Sequence, residues 1–139
     1  MDVYGRKPTA PEGEYFRRNI WGWHPLAELC IDLAPDECRP CKYWHSNDGK
    51  GLNAAQSLRL AERLQKLVAD GSVADYIVQR DARLAACPQE ERGFHGSISA
   101  YIAQRLLPAE DRRSQGLLDL QDVTEFISFL RASGGFRIF

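Results

Sequence analysis

The sequence predicts an all-α fold: about five helices around a central helical hairpin, with a minimal β pairing of the termini. Three observations carry this. Leu60, Leu64, Leu67 and Val68 recur at helical spacing after Asn53, a good N-cap. A second stripe, Val73, Tyr76, Ile77, Leu84 and Cys87, follows with only the Asp70-Gly71 joint before its Ser72 start. A third, Val123, Phe126, Ile127 and Leu130, lies near the C-terminus.

Taken in order, residues 1–14 hold Gly5, Pro8, Pro11 and Gly13 and read as an extended or turn-rich arm. From Glu14 the character changes. Tyr15, Phe16, Asn19, Ile20 and Trp23 fit one helical face, with Gly22 weakening the pattern. His24-Pro25 disfavours continuation, so a second short helix is expected over 26–34, with Pro25 in its first turn and Leu26, Leu29, Cys30 and Leu33 inward. Pro35 closes it, and 35–52 reads as a loop.

Asn53 with Gln56 forms a capping-box pair for the first hairpin helix, and Gly71 suits a left-handed end. Ser72 starts the second, with Asp75 near its positive end and Pro88 as its stop. Ser97 begins a further helix with Ile98, Tyr101, Ile102 and Leu106 inward, and residues 108–116 form a charged linker. Asp119 caps the last helix, which Gly134-Gly135 ends. The apolar tail Phe136-Arg137-Ile138-Phe139 is expected to dock and to pair with a short strand such as Val3-Tyr4. The expected core is Leu60, Leu64, Val68, Tyr76, Ile77, Phe126, Ile127 and Leu130, capped by Trp21 or Trp23.

The 139 residues suggest one domain, large enough for a core without staples. A net charge of −1 gives no global attraction to nucleic acid or anionic membrane, while leaving room for a local basic patch. No apolar run has the length of a membrane span, and the N-terminus lacks a secretion signal's order of charges, so a cytoplasmic protein is expected.

The densest chemistry lies at Tyr43-Trp44-His45-Ser46-Asn47-Asp48-Gly49-Lys50-Gly51. Asn, Asp and Gly tolerate left-handed backbone and expose amides, which near a helix N-terminus can hold an anion. His45 offers a proton shuttle and Asp48 an acceptor. The candidate ligand surface is therefore Trp44, His45, Ser46, Asn47, Asp48, Gly49 and Gly51 with Arg17. The plainer reading is a turn that caps the next helix, the commoner use of such residues. A calcium loop centred on Gly49 fails, because Trp44 and Ala55 would stand at its first and last ligand positions.

Cys38-x2-Cys41-x3-His45, with Cys30 upstream, supplies half of a zinc site, so a zinc-stabilised interaction module is the alternative. Inert buried thiols are the plainer reading. Cys41 with His45, or Cys87 with His95, offers a Cys–His pair on spacing alone, and His45 with Asp48 would serve a small enzyme. No Gly-x-Ser-x-Gly, Walker loop or His-Glu-x-x-His is present. The aromatics and arginines of 15–24 fit base stacking or, more commonly, a core with a solvated basic side. Exposed aromatics there would equally make a homodimer face.

Taken together, Asp2-Val3-Tyr4-Gly5, Gly13-Glu14-Tyr15-Phe16-Arg17, Trp21, Ser46-Asn47-Asp48-Gly49-x-Gly51-Leu52 and Glu125-Phe126-x2-Phe129-Leu130-Arg131-x2-Gly134-Gly135-Phe136-x-Ile138 make a pattern. It resembles a family of uncharacterised bacterial and phage proteins over roughly residues 1–85 and 117–139. The resemblance implies no activity. Some relatives carry Cys-x-x-Cys-Gly pairs mid-chain, similar to a zinc knuckle, where this sequence has only Cys87 and His95. The expectation is a non-enzymatic binding or accessory module of the phage-associated or bacterial kind that takes an unidentified protein or small polar ligand.

Overall fold

A computed structural model of the chain describes residues 1–86 and 117–139. Among these residues the order is β1 (Asp2–Gly5), a 3-10 turn (Pro11–Gly13), β2 (Tyr15–Arg17), α1 (Ile20–Leu33), α2 (Pro35–Cys38), α3 (Ala54–Ala69), α4 (Ser72–Ala86), α5 (Leu120–Ala132) and β3 (Phe136–Ile138). The fold is mostly helical but not all-α, because the strands form an antiparallel sheet of order β2-β1-β3.

The expected pairing of the termini is present: Val3 lies opposite Ile138, Tyr4 opposite Arg137 and Gly5 opposite Phe136. The second strand replaces the helix expected from Glu14. Three residues satisfy either period, and here burial of Phe16 beside Val3 selects the strand. The helix waits for Asn19, whose Oδ1 accepts from Gly22 N at 2.8 Å.

From there α1 runs unbroken to Leu33 with Pro25 inside it, where two segments were expected. Pro25 forfeits one helical amide, but its buried ring and its buried neighbours Leu26 and Leu29 hold the turn in place. Within the segment expected as pure loop, Pro35 opens the single helical turn α2.

The capping box of α3 forms as expected, with Asn53 N donating to Gln56 Oε1 and Gln56 N to Asn53 Oδ1, both at 2.9 Å. Gly71 has φ +85° at the hairpin joint. Asp70 rather than Ser72 supplies the side-chain cap there, its Oδ1 accepting from Ser72 N at 2.9 Å. At α5, Asp119 is the N-cap residue, and Asp122 Oδ2 accepts from Asp119 N at 3.0 Å.

Leu60, Leu64, Phe126, Ile127 and Leu130 are buried as expected, with Val68, Tyr76 and Ile77 only partly so. Trp23, not Trp21, enters the core, and Trp21 stays 61% exposed. The hairpin is not the centre: α3 packs more extensively on α5 than on α4. The inner sheet face closes this core, with Phe16 5.2 Å from Phe126 and 5.6 Å from Phe129 between ring centroids. Arg18 ties β2 to α5, its guanidinium meeting Glu125 and Asp122 while lying over the Phe16 ring. Arg18 Nε is 3.4 Å from Asp122 Oδ1, a charge contact without hydrogen-bond alignment.

The expected helix of Ile98, Tyr101, Ile102 and Leu106, the 108–116 linker, the Pro88 stop and the Cys87–His95 pair lie outside the described residues. Among the described residues no helix is long and apolar enough to cross a membrane.

Candidate functional site

The 39–52 segment is anchored by tryptophan. Trp44 is 4% exposed, so it is a core residue and not a contact surface. Its Nε1 donates to Cys38 O at 3.2 Å, its own carbonyl accepts from Trp23 Nε1 at 2.7 Å, and the two indoles stack at 6.2 Å. A buried indole needs a partner for its N–H, and these two carbonyls supply one for each.

Past that anchor the segment runs along the free edge of β3. Gly49 N donates to Ile138 O at 2.8 Å, Ile138 N to Lys50 O at 2.8 Å, and Phe136 N to Leu52 O at 2.9 Å. Gly51 is required by this approach, since a Cβ there would stand 1.9 Å from Phe136 O. The glycines expected to expose amides therefore lie in a sheet-like edge contact. Gly49 and Asn53 spend their amides on the chain's own oxygens. Ser46 donates its hydroxyl to Asp48, and Asn47 and Asp48 are exposed. Arg17 is not part of this group. It sits on β2, at the opposite side of the sheet from β3, 71% exposed and 3.5 Å from Asp2.

His45 leans on His24, with ring centroids 4.3 Å apart. Burial and then the His24 charge lower its pKa, with Glu28 opposing them. Among the described residues no hydrogen bond joins His45 to Asp48, the pairing a small enzyme would use. Cys30, Cys38 and Cys41 are buried free thiols. Burial pushes Cys38 up to about 12 and raises Cys30 and Cys41. Among the described residues no three His, Cys, Asp or Glu side chains gather as a metal site would need. Cys38 lies near enough to Cys30, and Cys41 near enough to Cys38, to add to those shifts, while His45 leans on His24.

What the fold does assemble lies beside the loop. A groove of about 550 Å³ is lined by Arg6, Lys42, Lys50 and Arg137 with Pro40, Tyr43, Gly49 and Gly51. No acidic side chain is in that lining, and none of the four cations is ion-paired among the described residues. Arg6 is held in place by its Nε, which donates to Phe136 O at 3.2 Å.

The groove continues onto the outer sheet face through Arg6 and Arg137, which also line a second hollow with Tyr4, Gly5 and Phe139. Register fixes what that face carries. Tyr4 lies between Tyr15 and Arg137, and Asp2 lies between Arg17 and Phe139. The rings of Tyr15 and Tyr4 are 5.0 Å apart, and those of Tyr4 and Phe139 5.9 Å. The Tyr15 hydroxyl donates to Asp2, which raises the Tyr15 pKa.

Of these groups the sequence pointed to Gly49, Gly51 and the tail pairing. It did not point to Arg6, Lys42, Lys50 or Arg137 as a set, because they come from three separate stretches of chain. The one available signal was the alternation in 136–139, which puts Arg137 and Phe139 on the same side once a strand is assumed. Comparison with family models, with curated proteins and with solved structures returned no match.

Proposed function

We propose that the chain is a non-enzymatic binding module and that its recognition surface is the basic groove between the 40–51 segment and the sheet. One observation carries this: four cations converge on a concave surface of about 550 Å³ that holds no carboxylate to neutralise them. Like charges gathered without counter-charges cost stability, so such a set is best explained by an anionic partner. The overall charge of −1 dilutes this patch to invisibility in composition. The reading keeps the binding role expected for the loop but moves the recognition from loop amides to the side chains beside them. The loop contributes Tyr43, Lys50, Gly49 and Gly51 to the lining of the groove.

The test is calorimetric titration with inorganic polyphosphate, comparing wild type with a Lys50→Glu, Arg137→Glu double variant. Charge-assisted contacts of this kind predict that the variant binds at least about tenfold more weakly, and that raising salt from about 50 to about 200 mM weakens the wild type. A wild type that binds no polyanion at low salt, or a variant that binds equally well, contradicts the reading.

A further inference from the structure

We infer that the anionic partner is a single-stranded nucleic acid, its phosphates in the groove and its bases stacked on Tyr4, Tyr15 and Phe139. This rests on the groove reading above and adds the chemical class of the ligand.

A solvent-facing sheet surface is ordinarily polar, and exposed aromatics on it demand a use. Here three stand together, with Tyr4 47%, Tyr15 43% and Phe139 44% exposed. Their rings form a continuous row, Tyr4 tilted against Tyr15 at 5.0 Å and edge-on to Phe139 at 5.9 Å, so each is braced by its neighbour while about half of it meets solvent. Phe139 is braced from the other side too, its ring lying over Gly49 where a Cβ would come within 3.1 Å. The row ends against the basic groove: Arg6 and Arg137 line both the hollow beside Tyr4 and Phe139 and the groove holding Lys42 and Lys50.

An aromatic row next to an unneutralised cationic track is the pairing that single strands require. Unstacked bases present π-faces to the aromatics, and phosphates follow the cations. A duplex hides its base faces and cannot use the row. An acidic peptide can use the cations but gains nothing sequence-tolerant from three flat rings. Tyr43, 54% exposed on the groove lining, offers one more ring beside the cations. Three rings in line accommodate about two or three bases.

The experiment is fluorescence anisotropy of the 139-residue chain with labelled oligouridine and oligothymidine of about a dozen nucleotides, with the matching duplex, inorganic polyphosphate and poly-glutamate as competitors. The variants are Tyr4→Ala, Phe139→Ala and Tyr4→Phe, each checked for folding by circular dichroism. The inference expects single strands to bind, the duplex to compete poorly, and each Ala variant to lose about tenfold or more for oligonucleotide. Polyphosphate affinity should be unchanged in the Ala variants, and Tyr4→Phe should bind as wild type. The RNA and DNA arms tell which sugar is preferred. Oligonucleotide binding that both Ala variants leave intact overturns the stacking inference but leaves the groove reading standing. Binding to poly-glutamate or polyphosphate without oligonucleotide does the same. Binding to none of the probes overturns both.

Discussion

The two faces of the small sheet carry similar side chains to opposite ends. Inward, Val3, Phe16, Phe136 and Ile138 are buried, and the Phe16 and Phe136 rings meet Phe126 and Phe129 of α5. Outward, one residue along each strand, Tyr4, Tyr15 and Phe139 form an equally aromatic row that nothing in the described chain covers. Alternation alone therefore does not separate core from surface here. What separates them is the company each face keeps. The inner rings meet helices, and the outer rings meet Arg6, Arg17 and Arg137. Apolar rings packed with more rings stabilise the fold, whereas the outer rings border cations and stay about half exposed.

Substitutions that treat the faces alike should expose the difference. Phe136→Ala removes a fully buried ring in contact with Phe126, Phe129 and Trp44, and should cost about 3–5 kcal/mol in urea unfolding. A loss under about 1 kcal/mol would show that the inner face is not core in the sense argued. Gly51→Ala places a methyl against the Phe136 carbonyl and should cost about 1–3 kcal/mol, read as a lower thermal midpoint, because backbone cannot yield as a side-chain tip does. Retained stability there would mean that the 49–53 edge contact with β3 is dispensable.

On the outer face, Tyr4→Ala should cost only about 1 kcal/mol, the worth of two ring contacts on a half-exposed side chain, measured by the same unfolding curve. A cost matching Phe136→Ala would erase the distinction between the faces.

The smallest effect concerns His45. Burial first and the His24 charge second lower its folded pKa below the ordinary value of 6.5. The unfolded chain then binds the proton more readily, so stability falls as pH drops from the ordinary histidine range through the lower folded value. Urea midpoints for wild type should decline between neutral pH and about pH 5 more than those of His45→Gln. Parallel declines would assign the acid sensitivity to other groups.

How much was legible in the sequence follows from how local each signal is. The Asn53–Gln56 box, the Gly71 joint and the α5 stripe are each contained within a turn or two of chain, and all three appear as expected. The pairing of Val3-Tyr4 with the tail was also legible, because an apolar stretch after two glycines has few other ways to be buried. Tyr15–Arg17 is not legible locally, because three residues fit a helix and a strand equally and only the distant β1 decides between them. Trp44 has polar neighbours in sequence, which point it to a surface. Its burial depends on Trp23, 21 residues away. The basic groove was invisible for the same reason: Arg6, Lys42, Lys50 and Arg137 are neighbours only after both termini and the loop have met at β3.

The central claim is that the outer sheet face and its groove form the ligand surface, and an amide NMR titration with single-stranded oligouridine tests it most directly. The account predicts that shifts concentrate at 2–6, 15–17, 42–51 and 136–139 and leave the exposed side of α4 unmoved. Shifts centred on α4, or spread evenly over the surface, would contradict it.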